Sequence, residues 1–228
     1  MEVKEQFPQK KKTKIVQKNP LAPVWPFRAI YTGRSGSGKT NAAIALARDY
    51  LPWEILAVYA RHIDNPQYTA WKKEVQKRED KREEVISVWE GTIENVPPVE
   101  ELEGSGLRKL VVFDDFILER NQDVIAEYFV SGRHKNCSVI YMTQSYYATP
   151  KIIRDNATHV GIFAGANAYD RNGLYKDMCS DMTKNEFEEF YKKAMTERFG
   201  FLWIDRDPAK PELKYRIKYD TLFIPDAT

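Results

Sequence analysis

Gly33-Arg34-Ser35-Gly36-Ser37-Gly38-Lys39-Thr40 fits the spacing G-x-x-x-x-G-K-[ST], and the fold follows from how it is read. In such a loop successive backbone N–H groups cradle phosphate oxygens, the lysine reaches the β- and γ-phosphates and the threonine hydroxyl holds Mg²⁺. The flanks agree. Phe27 to Thr32 is short, apolar and β-prone, while Asn41 to Leu51 is rich in helix formers and stops before Pro52. Strand, glycine loop and helix therefore occur in the order a phosphate site requires, with the helix N-terminus adding partial positive charge. All eight residues from Gly33 to Thr40 are assigned to nucleotide binding, with ATP and Mg²⁺ as the expected cofactors.

The chain as a whole is permissive. Its 228 residues are 43% hydrophobic, enough for one substantial core. The expected organisation is a basic, proline-containing arm over 1–26 followed by one domain over 27–228. The 35 Lys and Arg against 33 Asp and Glu leave a net charge of +2, so any polyanion site must be a local patch. Cys137 and Cys179 lack metal-ligand spacing and read as plain thiols. No apolar run approaches the ~18 residues of a membrane span, and the charged N-terminus has no signal-like core. A soluble, intracellular protein is expected.

Leu110-Val111-Val112-Phe113-Asp114-Asp115 is the second informative run: four apolar residues, then two carboxylates where the strand emerges. An acid at this place holds Mg²⁺ directly or through water, and a second one polarises the attacking water. Asp114 is assigned to the metal with Thr40, and Asp115 to the base, with Glu119 as the alternative. Cys137 to Met142 is another strand ending in Thr143-Gln144, and an amide at Gln144 either senses the γ-phosphate or is only a polar strand terminus.

Further strands are expected over 54–60, 85–89 and 157–164, and helices over the charged stretch 71–84, over 121–133, 168–179 and 183–198. Residues 201–204 and 213–219 predict a terminal β-hairpin whose Tyr215, Ile217 and Tyr219 face inward and whose Lys214, Arg216 and Lys218 form an outward basic row. That row suits either a phosphate backbone or an edge protected against aggregation. The overall expectation is an α/β P-loop NTPase with a mainly parallel central sheet flanked by helices. His62, His134 and His159 form no metal or nucleophile pattern and receive no chemistry.

The run Gly132-Arg133, then Val139-Ile140-Tyr141-Met142-Thr143-Gln144, then Ile153-Arg154-Asp155-Asn156-Ala157, taken with Gly33–Thr40 and Leu110–Asp115, resembles the FtsK–HerA superfamily of DNA-pumping ATPases. Within it, the likeness is to the genome-packaging ATPases of poxviruses, other large DNA viruses and virophages. The resemblance covers about residues 27–164. It implies a ring, usually a hexamer, that hydrolyses ATP at subunit interfaces and moves double-stranded DNA. It also implies a capsid protein as partner, and a location at virus assembly sites or in the virion. It makes Arg133 the arginine inserted into the neighbouring subunit's site, a role worth roughly 10³–10⁵ in rate in studied P-loop enzymes. Arg34 and Arg154 are the alternatives for that arginine, and Asp115 stands where many cellular relatives carry glutamate.

Two other readings compete. A small P-loop kinase for a nucleoside or metabolite also suits the length and the glycine loop, but no arginine-rich lid is visible. A nucleotide-gated scaffold needs no turnover, and retention of both acids argues against it. A GTPase is disfavoured because Thr183-Lys184-Asn185-Glu186 lacks the aspartate of the guanine-reading pattern.

Overall fold

The computed structural model describes residues 19–80, 86–102, 104, 106–119 and 122–223. Strands β1 (Arg28–Thr32), β2 (Ile55–Ala60), β3 (Ile86–Glu90), β4 (Lys109–Asp114), β5 (Cys137–Thr143), β6 (His159–Phe163), β7 (Phe201–Asp205), β8 (Tyr215–Ile217) and β9 (Thr221–Leu222) form one sheet. Its order is β3-β2-β4-β5-β1-β6-β7-β8-β9. Pairing is parallel from β3 through β6 and antiparallel from β6 to β9. The expected parallel sheet and C-terminal hairpin are both present, the hairpin extended by β9.

Helices α1 (Lys39–Asp49), α2 (Pro66–Asp80), α3 (Asp123–Ser131), α4 (Lys151–Asn156), α5 (Ala168–Met178) and α6 (Lys184–Ala194) cover the two faces. Alternation along the strands divides the core accordingly. Ala29 and Tyr31 of β1, with Leu110 and Val112 of β4, pack with α1 and α2, whereas Ile30, Val111 and Phe113 pack with α3 to α6. Local chemistry fixes the ends: Thr183 and Glu186 make a reciprocal capping box on α6, and the Asn167 side chain accepts from the Asp170 amide on α5.

Helix α2 begins at Pro66, five residues before the expected Trp71, because the Asn65 carboxamide accepts from the amides of Gln67 (2.7 Å) and Tyr68 (3.3 Å). Tyr68, Trp71 and Val75 line its buried face. The expected continuation to 84 lies outside the described residues. So do residues 1–18 of the expected arm; residues 19–26 lie against the domain, with the Trp25 indole donating to the Asn136 side chain at 3.0 Å and Ala22 buried.

The outward basic row is corrected. β8 is paired on both edges, by β7 and β9, and the side chain of Arg216, only 2% exposed, is covered by the chain at Leu21 and Tyr219. Its guanidinium donates through Nη1 to the carbonyls of Leu21 and Tyr219 (2.9 Å), so these bonds lie inside the fold and not on a surface open to nucleic acid. Lys214 pairs with Asp181, and Lys218 with Glu197.

Trp203 anchors the antiparallel end. It is fully buried, edge-on to Tyr31 at 5.7 Å and to Tyr219 at 5.1 Å, and stacked on His159 at 5.1 Å. Tyr219 in turn donates to the Ala42 carbonyl of α1 at 3.0 Å. Trp203→Ala is expected to lower unfolding free energy by about 3–5 kcal/mol, seen as a lower urea midpoint at unchanged m-value.

Candidate active site

The strand register brings the sequence-predicted residues to one edge. Thr32 of β1 pairs with Thr143 of β5, and Asp114 of β4 with Met142, so the segments that follow these strands emerge side by side at their carboxyl ends. They line a cleft of about 310 Å³ that contains Ser35 to Asn41, Asp114, Asp115 and Gln144. Open parallel sheets bind ligands at this location.

The loop is shaped by its glycines. Gly33 has φ 153°, and a Cβ there would stand 2.7 Å from the Phe163 Cβ; Gly38 has φ 101° and precedes the first residue of α1. Both positions exclude a side chain. The loop is tied to the sheet by the Arg34 amide donating to Ala164 at 3.2 Å. Lys39 Nζ donates to the carbonyls of Gly33 at 2.7 Å and Arg34 at 3.0 Å, holding its cation over the loop. Burial lowers the Lys39 pKa, and the charges of Asp114 and Asp115 oppose that shift.

Asp114 and Asp115 diverge. Asp114 accepts from the Tyr68 hydroxyl at 2.6 Å, and Tyr68 also hydrogen bonds with Thr40. Burial raises the Asp114 pKa, against the Tyr68 hydrogen bond and the Lys39 charge, which lower it. Asp115 takes φ 63°, a left-handed conformation that asparagine and aspartate tolerate better than most residues. This turn sends its carboxylate toward Gln144, whose Nε2 donates to Oδ1 at 3.2 Å, and His62 Nε2 stands 3.9 Å from Oδ2.

The chemistry of the donor set suits Mg²⁺. A partly buried carboxylate and a hydroxyl linked through one tyrosine are hard oxygen donors, and Mg²⁺ takes few protein ligands when phosphate and water complete its shell. Among the described residues no group of three or more His, Cys, Asp or Glu gathers that would instead suit a metal held by protein alone.

Tyr68 is the contributor that the sequence reading missed. It is one of 13 tyrosines, stands in no motif and meets Asp114 across 46 positions of chain. Tyr68→Phe removes the donor that steadies the Asp114 carboxylate and leaves its charge less favourable. The expected outcome is a severalfold weaker Mg²⁺ dependence of nucleotide binding at unchanged fold, read by calorimetric titration.

The arginines separate by position. Arg154 is held in place, its guanidinium 2.9 Å from Asp177, donating to the Thr149 carbonyl at 3.2 Å and lying over Tyr146 and Tyr147. The Arg34 side chain packs over Gly165 and is not among the cleft-lining groups. Arg133 is exposed in the 3₁₀ turn Gly132–Lys135, before β5 begins. β5 spans seven residues, roughly 20 Å at about 3.3 Å per residue, so Arg133 lies at the sheet edge opposite the cleft. Arg28 is close to it: burial, then the charge of Arg133, lowers the Arg28 pKa. Glu119, the alternative base, faces Arg61 at 3.9 Å.

A glycine loop after β1, paired acids after β4 and a polar strand end on β5 between them define a P-loop NTPase fold. The family model described as Poxvirus A32 protein matches residues 16–190, and the chain belongs to that family. The DNA packaging protein OPG160 of Variola virus is 27% identical over 139 residues, covering 59% of this chain and 52% of that protein. OPG160 of Monkeypox virus has the same identity, with 46% of its length covered. The chain thus spans about half the length of the curated relatives it matches. The genome packaging NTPase B204 from Sulfolobus turreted icosahedral virus 2, solved with AMP, is 15% identical with a TM-score of 0.54, covering 88% of this chain and 98% of that one. That likeness is one of fold. No described helix is long and apolar enough to cross a membrane.

Proposed function

We propose that this chain is an ATP-hydrolysing motor subunit that moves double-stranded DNA, packaging a viral genome into a capsid. The observation that carries the hydrolytic part is the convergence of Lys39, Asp114 and the Asp115–Gln144 pair on one cleft. The loop amides and Lys39 bind the triphosphate. Thr40 and Asp114 would hold Mg²⁺, which supplies charge neutralisation at the phosphates when bound. Asp115 accepts a proton from the attacking water, and Gln144 orients Asp115 and the water between them. Membership of the poxvirus family, with relatives named as DNA packaging proteins, supports DNA as the track, and a capsid protein is the partner that packaging would require.

The position of Arg133 supports a ring. A guanidinium at the edge opposite its own cleft has no role in that cleft, but an asymmetric head-to-tail contact presents this edge to the next subunit. Each site is then half loop and half neighbour. Orthophosphate release with and without duplex DNA, measured alongside oligomer mass, tests the proposal. DNA-stimulated release by an assembly of several subunits is expected, whereas a phosphorylated acceptor in place of orthophosphate would favour a kinase.

A further inference from the structure

Among the described residues Phe199 is the one large aromatic side chain on the rim of the phosphate cleft, 47% exposed and with φ 59°. A left-handed backbone is unfavourable for a bulky residue, and the surroundings hold it there. Gly200 follows, where a Cβ would stand 1.9 Å from the Ala194 carbonyl oxygen at the end of α6. The Arg198 guanidinium lies over one face of the ring, 4.9 Å from its centroid, which leaves the opposite face for a ligand. The ring thus stands against the last loop glycine: a Cβ on Gly38 would be 3.2 Å from both Cβ and Cδ1 of Phe199.

Beyond Phe199 lies a second hollow of about 270 Å³, lined by Ala45, Asp49, Tyr50 and Phe201 among others. The hollow and the cleft share Gly38, Asn41 and Phe199 as a common wall. Direction follows from the chemistry of the cleft. Asp114, Asp115 and Gln144 occupy the end where the γ-phosphate reacts, so the rest of a nucleotide leaves along the start of α1, past Asn41 and toward Phe199. Every nucleobase has a π-face, and an exposed aromatic ring is a stacking platform for it.

We propose that Phe199 and the hollow behind it form the nucleoside subsite, with the base stacked on the Phe199 ring and Tyr50 bounding the far side. This deepens the nucleotide reading of the phosphate loop and rests on it. The left-handed turn at 199 is then the device that aims an aromatic face at the ligand.

Calorimetric titration of the full chain with ATP and with inorganic tripolyphosphate, in Mg²⁺, tests the subsite. Phe199→Ala is expected to weaken ATP roughly ten- to a hundredfold while leaving tripolyphosphate affinity unchanged, and Phe199→Trp is expected to keep ATP affinity. Equal weakening of both ligands would overturn the proposal, since Phe199 would then act only by packing on Gly38; so would unchanged ATP affinity in Phe199→Ala. Failure of the wild-type chain to bind either ligand would instead remove the phosphate-loop reading and the subsite with it. Thermal unfolding of each variant checks that the fold is retained.

Discussion

A mixture of Arg133→Ala and Lys39→Ala chains recovers DNA-stimulated ATP hydrolysis that neither variant shows alone. The expectation follows from where the two residues stand. Lys39 lies over the loop at the carboxyl edge of the sheet, and Arg133 stands before β5, at the opposite edge. No rotamer of an arginine spans the roughly 20 Å length of that strand. If Arg133 serves catalysis, it does so in the next subunit. Loss of a guanidinium that spreads charge over a transferring phosphoryl group costs about 10³–10⁵ in rate, and Lys39→Ala removes the cation from the triphosphate. In a randomly mixed ring about a quarter of the interfaces join an intact loop to an intact Arg133, which is the recovery expected at equal proportions. No recovery, with rings of normal mass, would make Arg133 a residue of its own subunit's structure.

Asp115→Asn is expected to lower kcat by about 10²–10⁴ while the dissociation constant for ATP changes only severalfold. Its carboxylate faces the cleft and is oriented by Gln144, so its removal takes away proton acceptance rather than binding. Asparagine keeps the left-handed turn that φ 63° requires, which isolates the chemistry from the backbone. Glu119→Gln, by contrast, is expected to stay near wild type, because Glu119 faces Arg61. Reversal of these two outcomes, read by single-turnover phosphate release, would move the base to Glu119.

The parts of the site that were legible in sequence are those written in contiguous residues at strand ends. Gly33–Thr40, Asp114-Asp115 and Gln144 each carry their own context, apolar strand before and turn after, and the sheet brings them together through register. What was hidden depends on long-range packing. Tyr68 reaches Asp114 because Asn65 starts α2 earlier than the charged stretch suggested. Arg216 alternates with inward-facing residues and so looked solvent-facing, but the segment at Leu21 and the turn at Tyr219 cover it, and their backbone carbonyls replace water. Phe199 follows a helix-forming stretch with nothing in its type to announce a left-handed backbone, and the close approach of the next residue, Gly200, to Ala194 is visible only in the fold. The likeness to packaging ATPases reached the family through the same contiguous runs, whereas the assignment of Arg133 to a neighbour's site comes from the resemblance and is what the mixing experiment tests.

Displacement of a triplex-forming strand from duplex DNA tests the central claim most directly, since only an enzyme moving along the duplex strips a third strand ahead of it. ATP-dependent displacement is expected from the wild-type assembly and none from Lys39→Ala or Asp115→Asn assemblies. Hydrolysis of ATP in the presence of duplex DNA with the third strand left in place would contradict it.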